Sequence, residues 1–102
     1  MRVQTQSVHF KADEKLLILI EERLQKLEQF FDRIINASVT LRLEKNGKVQ
    51  DKIVEIKISV PNEQLIAKDS NKKFEVALDG VIEALKRQLL KYKEKLNQRK
   101  KG

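Results

Sequence analysis

The stretch at the centre of the chain, residues 38–60, reads SVTLRLEKNGKVQDKIVEIKISV. Apolar and polar residues alternate on both sides of Asn46–Gly47, a pattern typical of strands that bury one face and expose the other. Asn46–Gly47 itself is the strongest short signal for a hairpin, because both residues tolerate a positive φ. A turn at Pro61–Asn62 and a short strand at Gln64–Lys68 follow. We therefore predict a three-stranded antiparallel meander with one solvated face.

Helical patterns lie on both sides of this meander. Before it, apolar residues recur at three- and four-residue spacing behind Asp13, a suitable N-cap, and predict a first helix over Glu14–Phe31. After it, a longer apolar series predicts a last helix of about six turns, with N-cap candidates in Asp69–Asn71. The members of that series are Phe74, Leu78, Val81, Leu85, Leu89, Tyr92 and Leu96. Gly80 within the series costs helix stability unless it allows a neighbour to pack closely.

A short strand at Val3–Val8 precedes the first helix, so the element order is β-α-β-β-β-α. The predicted fold class is α+β, a two-layer domain whose four-stranded sheet carries both helices on one face. Because the first strand joins the sheet through a helical crossover, we expect it to run parallel to its neighbour. The chain of 102 residues is predicted to form one α+β domain over residues 1–97, followed by a basic, disordered tail over 98–102.

Composition excludes several classes of protein. The chain has no cysteine, which excludes disulfides and thiolate metal sites. No apolar run approaches the roughly 20 residues that cross a bilayer, and the first residues lack the apolar core of a signal peptide, so we expect a cytoplasmic location. His9 is the only histidine, and no spacing pattern supplies a nucleophile, a phosphate loop or a metal-ligand cluster. We therefore expect no catalysis, no cofactor, no metal and no small-molecule substrate.

The net charge of +7 is confined to one end of the chain. Residues 86–102 contain eight basic residues and one acid, whereas residues 1–85 contain 14 of each sign. Helical geometry places Arg87, Lys91 and Lys95 opposite the apolar stripe, and Lys86 and Lys93 on its flank. Like charges at this spacing repel one another. An unmixed row of cations therefore indicates a partner that supplies negative charge, and RNA phosphate fits best.

Arg23 and Lys26 on the first helix extend this basic surface if the two helices lie side by side. The alternative for them is ordinary surface pairing, such as Glu22 with Lys26. For the basic helix the alternatives are a solubilising tail or a membrane-surface helix, although its apolar stripe is better used to cover the sheet. No aromatic residue lies in the meander strands, so we expect recognition by shape and phosphate rather than by base stacking on the sheet.

Two segments resemble bacterial ribosome hibernation-promoting factors and the related ribosome-associated inhibitor. Residues 26–34, KLEQFFDRI, resemble the end of the first helix in that family. Residues 78–96, which include LDGVIE and KYKEKL, resemble the second helix. The likeness extends over nearly the whole chain with matching element lengths. One departure is Ala84, where relatives often have a lysine; here Lys86 follows two places later.

The resemblance implies a factor that binds the small ribosomal subunit in the channel for messenger and transfer RNA. Such a factor stops initiation and preserves idle ribosomes in stationary phase or under stress. Arg23, Lys26, Arg87, Lys91, Lys93 and Lys95 match basic positions of the family's RNA-facing surface. With Lys86 from the helical geometry, the predicted RNA-binding set is Arg23, Lys26, Lys86, Arg87, Lys91, Lys93 and Lys95.

The chain resembles the short form of the family, since longer members continue into a dimerising C-terminal domain. We expect a monomer away from the ribosome that needs a second factor to pair ribosomes, if it pairs them. Two other functions stay open from the residues alone. One is a general double-stranded-RNA-binding module, and the other is a protein-interaction domain with an acidic partner.

Overall fold

The computed structural model describes residues 1–47 and 49–101, with side chains described for all of these except residues 46, 49 and 98–101. The elements along the chain are β1 (Arg2–Val8), α1 (Glu14–Phe30), β2 (Asn36–Asn46), β3 (Val49–Val60), β4 (Glu63–Asn71) and α2 (Phe74–Lys101). This is the predicted β-α-β-β-β-α order, and the α+β fold class is confirmed.

The four strands form one mixed sheet in the order β1-β2-β3-β4. β1 runs parallel to β2, with Val3 opposite Ala37 and Ser7 opposite Leu41, which confirms the pairing predicted from the α1 crossover. β2 with β3 and β3 with β4 are antiparallel. Gly47 in the β2–β3 turn has a φ of 65°, a conformation that glycine adopts without steric cost. The antiparallel meander is confirmed, but its first turn begins at Gly47 rather than at Asn46, because Asn46 continues β2 and pairs with Val49 of β3.

The hydrophobic core lies between this sheet and the two helices. α1 begins as predicted, because Asp13 Oδ1 accepts a hydrogen bond from the Leu16 N–H at 3.1 Å. The largest fully buried side chains are Ile20, Leu24 and Leu27 of α1, Val39, Leu41, Val54, Ile56 and Ile58 of the sheet, and Leu78, Val81, Leu85 and Leu89 of α2. Each such residue stabilises the fold by roughly 1.5–3 kcal/mol relative to an exposed one. Both helices are thus fixed to the sheet by their apolar faces.

The junction between β4 and α2 differs from the prediction. Asp69–Asn71 do not cap α2; they continue β4 and pair with Lys52–Val54 of β3. α2 begins only at Phe74, and Asn71 Oδ1 accepts a hydrogen bond from the Lys73 N–H at 3.3 Å within the turn. The strand extends because β3 offers these residues ladder hydrogen bonds, which outweigh their preference for turns and caps.

Gly80 has the packing role that the sequence suggested. A Cβ atom built at Gly80 would collide with the carboxylate of Asp69 on β4. The missing side chain therefore lets α2 approach β4 closely near the start of the helix.

The helical backbone of α2 continues to Lys101, past the predicted domain end at residue 97. The side chains of residues 98–101 and the whole of Gly102 lie outside the described residues. The predicted disorder of the 98–102 tail therefore stays a prediction.

Candidate RNA-binding surface

α1 and α2 lie side by side on the sheet, which is the condition for their cations to form one surface. Arg23 Nε of α1 donates a hydrogen bond to Asp79 Oδ1 of α2 at 3.1 Å. Lys26 lies one turn further along α1 and is exposed. The structure therefore brings Arg23 and Lys26 beside α2, as the predicted extension of the basic surface requires.

A shallow hollow between the helices brings Lys26 of α1 close to Lys86 of α2. The residues that line it are Arg23, Lys26, Asp79, Ile82, Glu83 and Lys86. Lys86 Nζ lies 3.8 Å from Glu83 Oε1, and both side chains are more than 40% exposed. An exposed pair of this kind contributes only about 0–1 kcal/mol, so Lys86 can exchange it for a phosphate at little cost.

The acidic residues one turn before Arg87 and Lys26 on their own helices form no ion pair with them. Glu83 pairs with Lys86 rather than with Arg87, and no bridge between Glu22 and Lys26 is found among the described side chains. Arg87 and Lys26 are therefore left exposed and without an acidic partner in that part of the chain. Both are free to meet an external anion.

Arg87 and Lys91 form the outermost row of the surface. They are one helical turn apart, both are exposed, and neither makes an ion pair with any residue whose side chain is described. Leu90 lies beside them and is 49% exposed. Two like charges held together in this way raise the local positive potential and favour a polyanion over a single counter-ion.

Lys93 lies on the flank of α2 that faces α1, about 160° around the helix from Lys91, and contacts an aromatic ring. Its Nζ lies 4.8 Å from the centroid of the Phe30 ring at the end of α1. Arg33, which follows α1, lines the same hollow as Phe30 and Lys93. Sequence reasoning did not select Arg33 or Phe30. The available signal was that Phe30 and Phe31, about 100° apart on a helix, cannot both point into the core.

Lys95 lies one turn beyond Lys91, towards the flank of α2 that faces β4. It is exposed, as predicted, but its Nζ is 4.0 Å from Glu63 Oε2 at the start of β4. On that same flank of α2, Gln88 Nε2 donates to the Ile66 carbonyl oxygen at 2.8 Å. β4 therefore lies on one side of α2 and α1 on the other, and Lys95 is separated from Lys26 and Lys93 by the helix.

We define the basic surface as Arg23, Lys26, Arg33, Lys86, Arg87, Lys91 and Lys93, with Lys95 at its margin. Acidic residues also lie among or beside these cations, including Asp32, Glu63, Asp79, Glu83 and Glu94. Such an arrangement suits a polyanion, because the cations outnumber the acids and follow the length of two helices.

The remaining chemistry of the described chain is sparse. Across residues 1–47 and 49–101 no group of three or more His, Asp or Glu side chains is placed to hold a metal ion. No helix in the same residues has the length and hydropathy needed to cross a bilayer. The exposed His9 has a φ of 64° in the loop that leads to α1.

Comparisons of the sequence with a family model and with known proteins agree with one another. Residues 3–97 match the protein family described as Sigma 54 modulation protein / S30EA ribosomal protein. The chain is 32% identical over 95 residues to the ribosome hibernation promoting factor of Pseudomonas putida, which covers 93% of this chain and 89% of that protein. It is also 32% identical over 98 residues to the ribosome hibernation promoting factor of Escherichia coli K12, with 96% and 99% covered.

Solved structures of the same shape are also known. A ribosomal subunit interface protein from Coxiella burnetii superposes with a TM-score of 0.83 at 23% identity, covering 92% of this chain and 99% of that one. The N-terminal domain of Thermus thermophilus Protein Y superposes with a TM-score of 0.76 at 19% identity, covering 90% and 99%. At these identities the likeness shows a shared fold.

Proposed function

The chain belongs to the Sigma 54 modulation protein / S30EA ribosomal protein family, and from this premise we propose that it binds the small ribosomal subunit and keeps idle ribosomes inactive. The family has a ribosome-associated role in hibernation and is not an enzyme family. We propose that the protein occupies the channel for messenger and transfer RNA, and that its basic surface holds ribosomal RNA there. A factor that acts on ribosomes in this way works in the cytoplasm.

The observation that carries this proposal is the exposed row of Arg87 and Lys91 on α2, which forms no ion pair with any described side chain. An exposed cation without a partner loses little when it meets a phosphate, whereas a cation in a strong ion pair must first give up that pair. Each phosphate that a lysine or arginine neutralises releases condensed counter-ions, which favours binding through entropy. The geometry therefore supports attachment to RNA through its backbone.

Inhibition in this proposal follows from occupancy rather than from chemistry. A two-layer domain whose longest dimension is 54 Å excludes other ligands from the RNA groove that it fills. Initiation would then stop because messenger RNA and initiator transfer RNA compete for the same space. No covalent step and no cofactor enters this mechanism.

Sedimentation with purified small subunits tests the proposal. We expect saturable binding that survives an excess of duplex RNA and declines as initiator transfer RNA is added. If the protein binds duplex RNA with the same affinity as the small subunit, it is a general double-stranded-RNA-binding module instead. If the protein shows little affinity for any RNA at physiological salt, its partner is an acidic protein.

Two further parts of the proposal concern assembly. We propose that the protein is a monomer away from the ribosome and that any pairing of ribosomes requires a second factor. Sucrose-gradient profiles of ribosomes with the purified protein alone should therefore show inactive single ribosomes. Ribosome dimers in that mixture would contradict the need for a helper.

A further inference from the structure

Phe30 and Phe31 are adjacent at the end of α1 but have different surroundings. Phe31 is 7% exposed and packs edge-on against Tyr92, with ring centroids 5.5 Å apart. The Tyr92 hydroxyl in turn donates a hydrogen bond to the Pro61 carbonyl oxygen at 2.6 Å. Phe31 therefore plugs the end of the core. Phe30 is only half-buried and borders an open hollow between α1 and α2.

The hollow beside Phe30 combines an aromatic ring with cations and amides. It has a volume of about 400 Å³ and is lined by Gln29, Phe30, Phe31, Asp32, Arg33, Lys93, Leu96 and Asn97. Lys93 Nζ lies over the Phe30 ring. Arg33 and Lys93 form no ion pair with any described side chain. A site that served only to fill the core would not keep two unpaired cations at its rim.

We propose that this hollow binds one unpaired nucleotide of RNA, with its base stacked on Phe30 and its phosphates held by Lys93 and Arg33. The inference rests on the proposed function, and it adds base stacking to a surface otherwise suited to phosphate alone. Single-stranded RNA is characteristically recognised by aromatic side chains under splayed bases and by nearby cations. Gln29 and Asn97 supply amide donors and acceptors for the edge of the base.

The contact between Lys93 and Phe30 keeps the ring face occupied in the free protein. A cation over an exposed aromatic ring is held weakly, so the flexible Lys93 side chain can move to a phosphate when a base takes its place. Asp32 repels phosphate and accepts hydrogen bonds from amino groups. We therefore expect the edge of the base to face Asp32 and the phosphates to lie toward Lys93.

Phe74 provides a matched control at the other end of the helical layer. Its ring is also half-buried and also carries a lysine, since Lys52 Nζ lies 5.5 Å from its centroid. However, Phe74 stacks on Phe10 with the rings 11° from parallel, so one of its faces is already covered by protein. Phe74→Leu should therefore perturb packing as much as Phe30→Leu does, but it should not affect the binding of a nucleotide.

The experiment uses a single-stranded RNA oligonucleotide that contains 2-aminopurine, whose fluorescence falls when it stacks on an aromatic ring. With the intact chain we expect quenching on binding. Phe30→Leu should abolish the quenching and weaken binding about tenfold, whereas Phe30→Trp should retain both and Phe74→Leu should leave both unchanged. Equal quenching and affinity for Phe30→Leu and the intact chain would overturn the proposal.

Two further readouts separate the possible failures. If the intact chain bound neither the oligonucleotide nor small subunits, the proposed function itself would fail. If Phe30→Leu weakened binding to small subunits but left oligonucleotide binding unchanged, the hollow would contact a ribosomal protein and the nucleotide site would be wrong. Thermal unfolding verifies that each variant folds. If Phe30→Leu does not fold, the double variant Lys93→Gln with Arg33→Gln replaces it and should weaken oligonucleotide binding. Unchanged binding of that double variant would overturn the proposal.

Discussion

The two halves of α2 differ in charge and in the surfaces they meet. Residues 74–85 contain three acidic residues and no basic one, whereas residues 86–101 contain eight basic residues and one acidic. The first half buries Ala77, Leu78, Val81, Ile82 and Leu85, and the second half buries Leu89 and Tyr92. One continuous helix therefore has a half that mainly builds the fold and a half that mainly presents charge.

The helix dipole explains the order of the charges but not their number. Acidic residues near the start of a helix and basic ones near its end are each stabilised by about 0.3–1 kcal/mol, and only within the first or last turn. Lys86 and Arg87 lie roughly four turns before Lys101, too far from the helix end to benefit. The helix dipole therefore does not account for the excess of cations, which fits the negatively charged partner that we propose.

The largest effect should come from removing a buried leucine in the first half. Leu78→Ala leaves a cavity under α2 and should lower the free energy of unfolding by about 2–5 kcal/mol. The same change at Leu96, which is only partly buried, should cost clearly less. Chemical denaturation of both variants measures the difference. Equal losses would mean that the two halves of α2 contribute equally to the free energy of unfolding.

Reversing the outer charges should separate binding from folding. Arg87→Glu with Lys91→Glu should abolish binding to small subunits while unfolding changes by no more than about 0.5 kcal/mol, because both residues are exposed. Lys57→Glu with Lys72→Glu makes the same change in net charge at exposed positions away from the basic surface. Binding that falls equally in both double variants would point to overall charge rather than to the α2 row.

A substitution at Gly80 tests how closely the first half of α2 approaches β4. Gly80→Ala should change the free energy of unfolding little, because the exposed Asp69 carboxylate must turn away from the added Cβ at a cost that offsets the gain in helix propensity of up to about 1 kcal/mol. In an Asp69→Ala background the same change should instead stabilise, by up to about 1 kcal/mol. Thermal unfolding of the four proteins of this cycle gives the effect of Gly80→Ala in each background. An equal effect in both backgrounds would show that Asp69 does not limit the position.

A smaller effect should distinguish cations within the second half. Lys91→Gln should lower the slope of log K against log salt by about one unit, as expected for one lost phosphate contact. Lys95→Gln should change that slope less, because Lys95 lies beside Glu63 on the flank that faces β4. Titrations with small subunits at several salt concentrations provide both slopes. A larger effect at Lys95 would place the RNA on the β4 side of α2.

Local signals predicted most of the fold. The Asp13 cap of α1 and the positive φ of Gly47 in the central hairpin were predictable, because each depends on chemistry within a few residues. The parallel pairing of β1 was also predictable, since a helical crossover leaves little other choice. The prediction that Asp69–Asn71 cap α2 was wrong, because β3, which is distant in the sequence, provides ladder partners for these residues that no local pattern reveals.

The candidate site was less accessible to sequence reasoning. Charge counting located the cations on α2, and helical geometry separated Arg87 and Lys91 from the core. Neither could show that Glu83 pairs with Lys86, or that Lys95 turns towards Glu63, because surface side chains choose between partners of similar energy. The Phe30 hollow was missed because α1 and α2 form it together.

The parallel pairing of β1 has a consequence for the order in which the protein assembles. Val3 pairs with a residue 34 positions later in the chain, whereas β2 pairs with β3 through a tight hairpin. Closing the longer loop costs more entropy, so we expect the meander to form early and β1 to dock late. During synthesis β1 emerges first and must wait for β2. Because none of its residues is fully buried, its amides should exchange with deuterium fastest among the four strands.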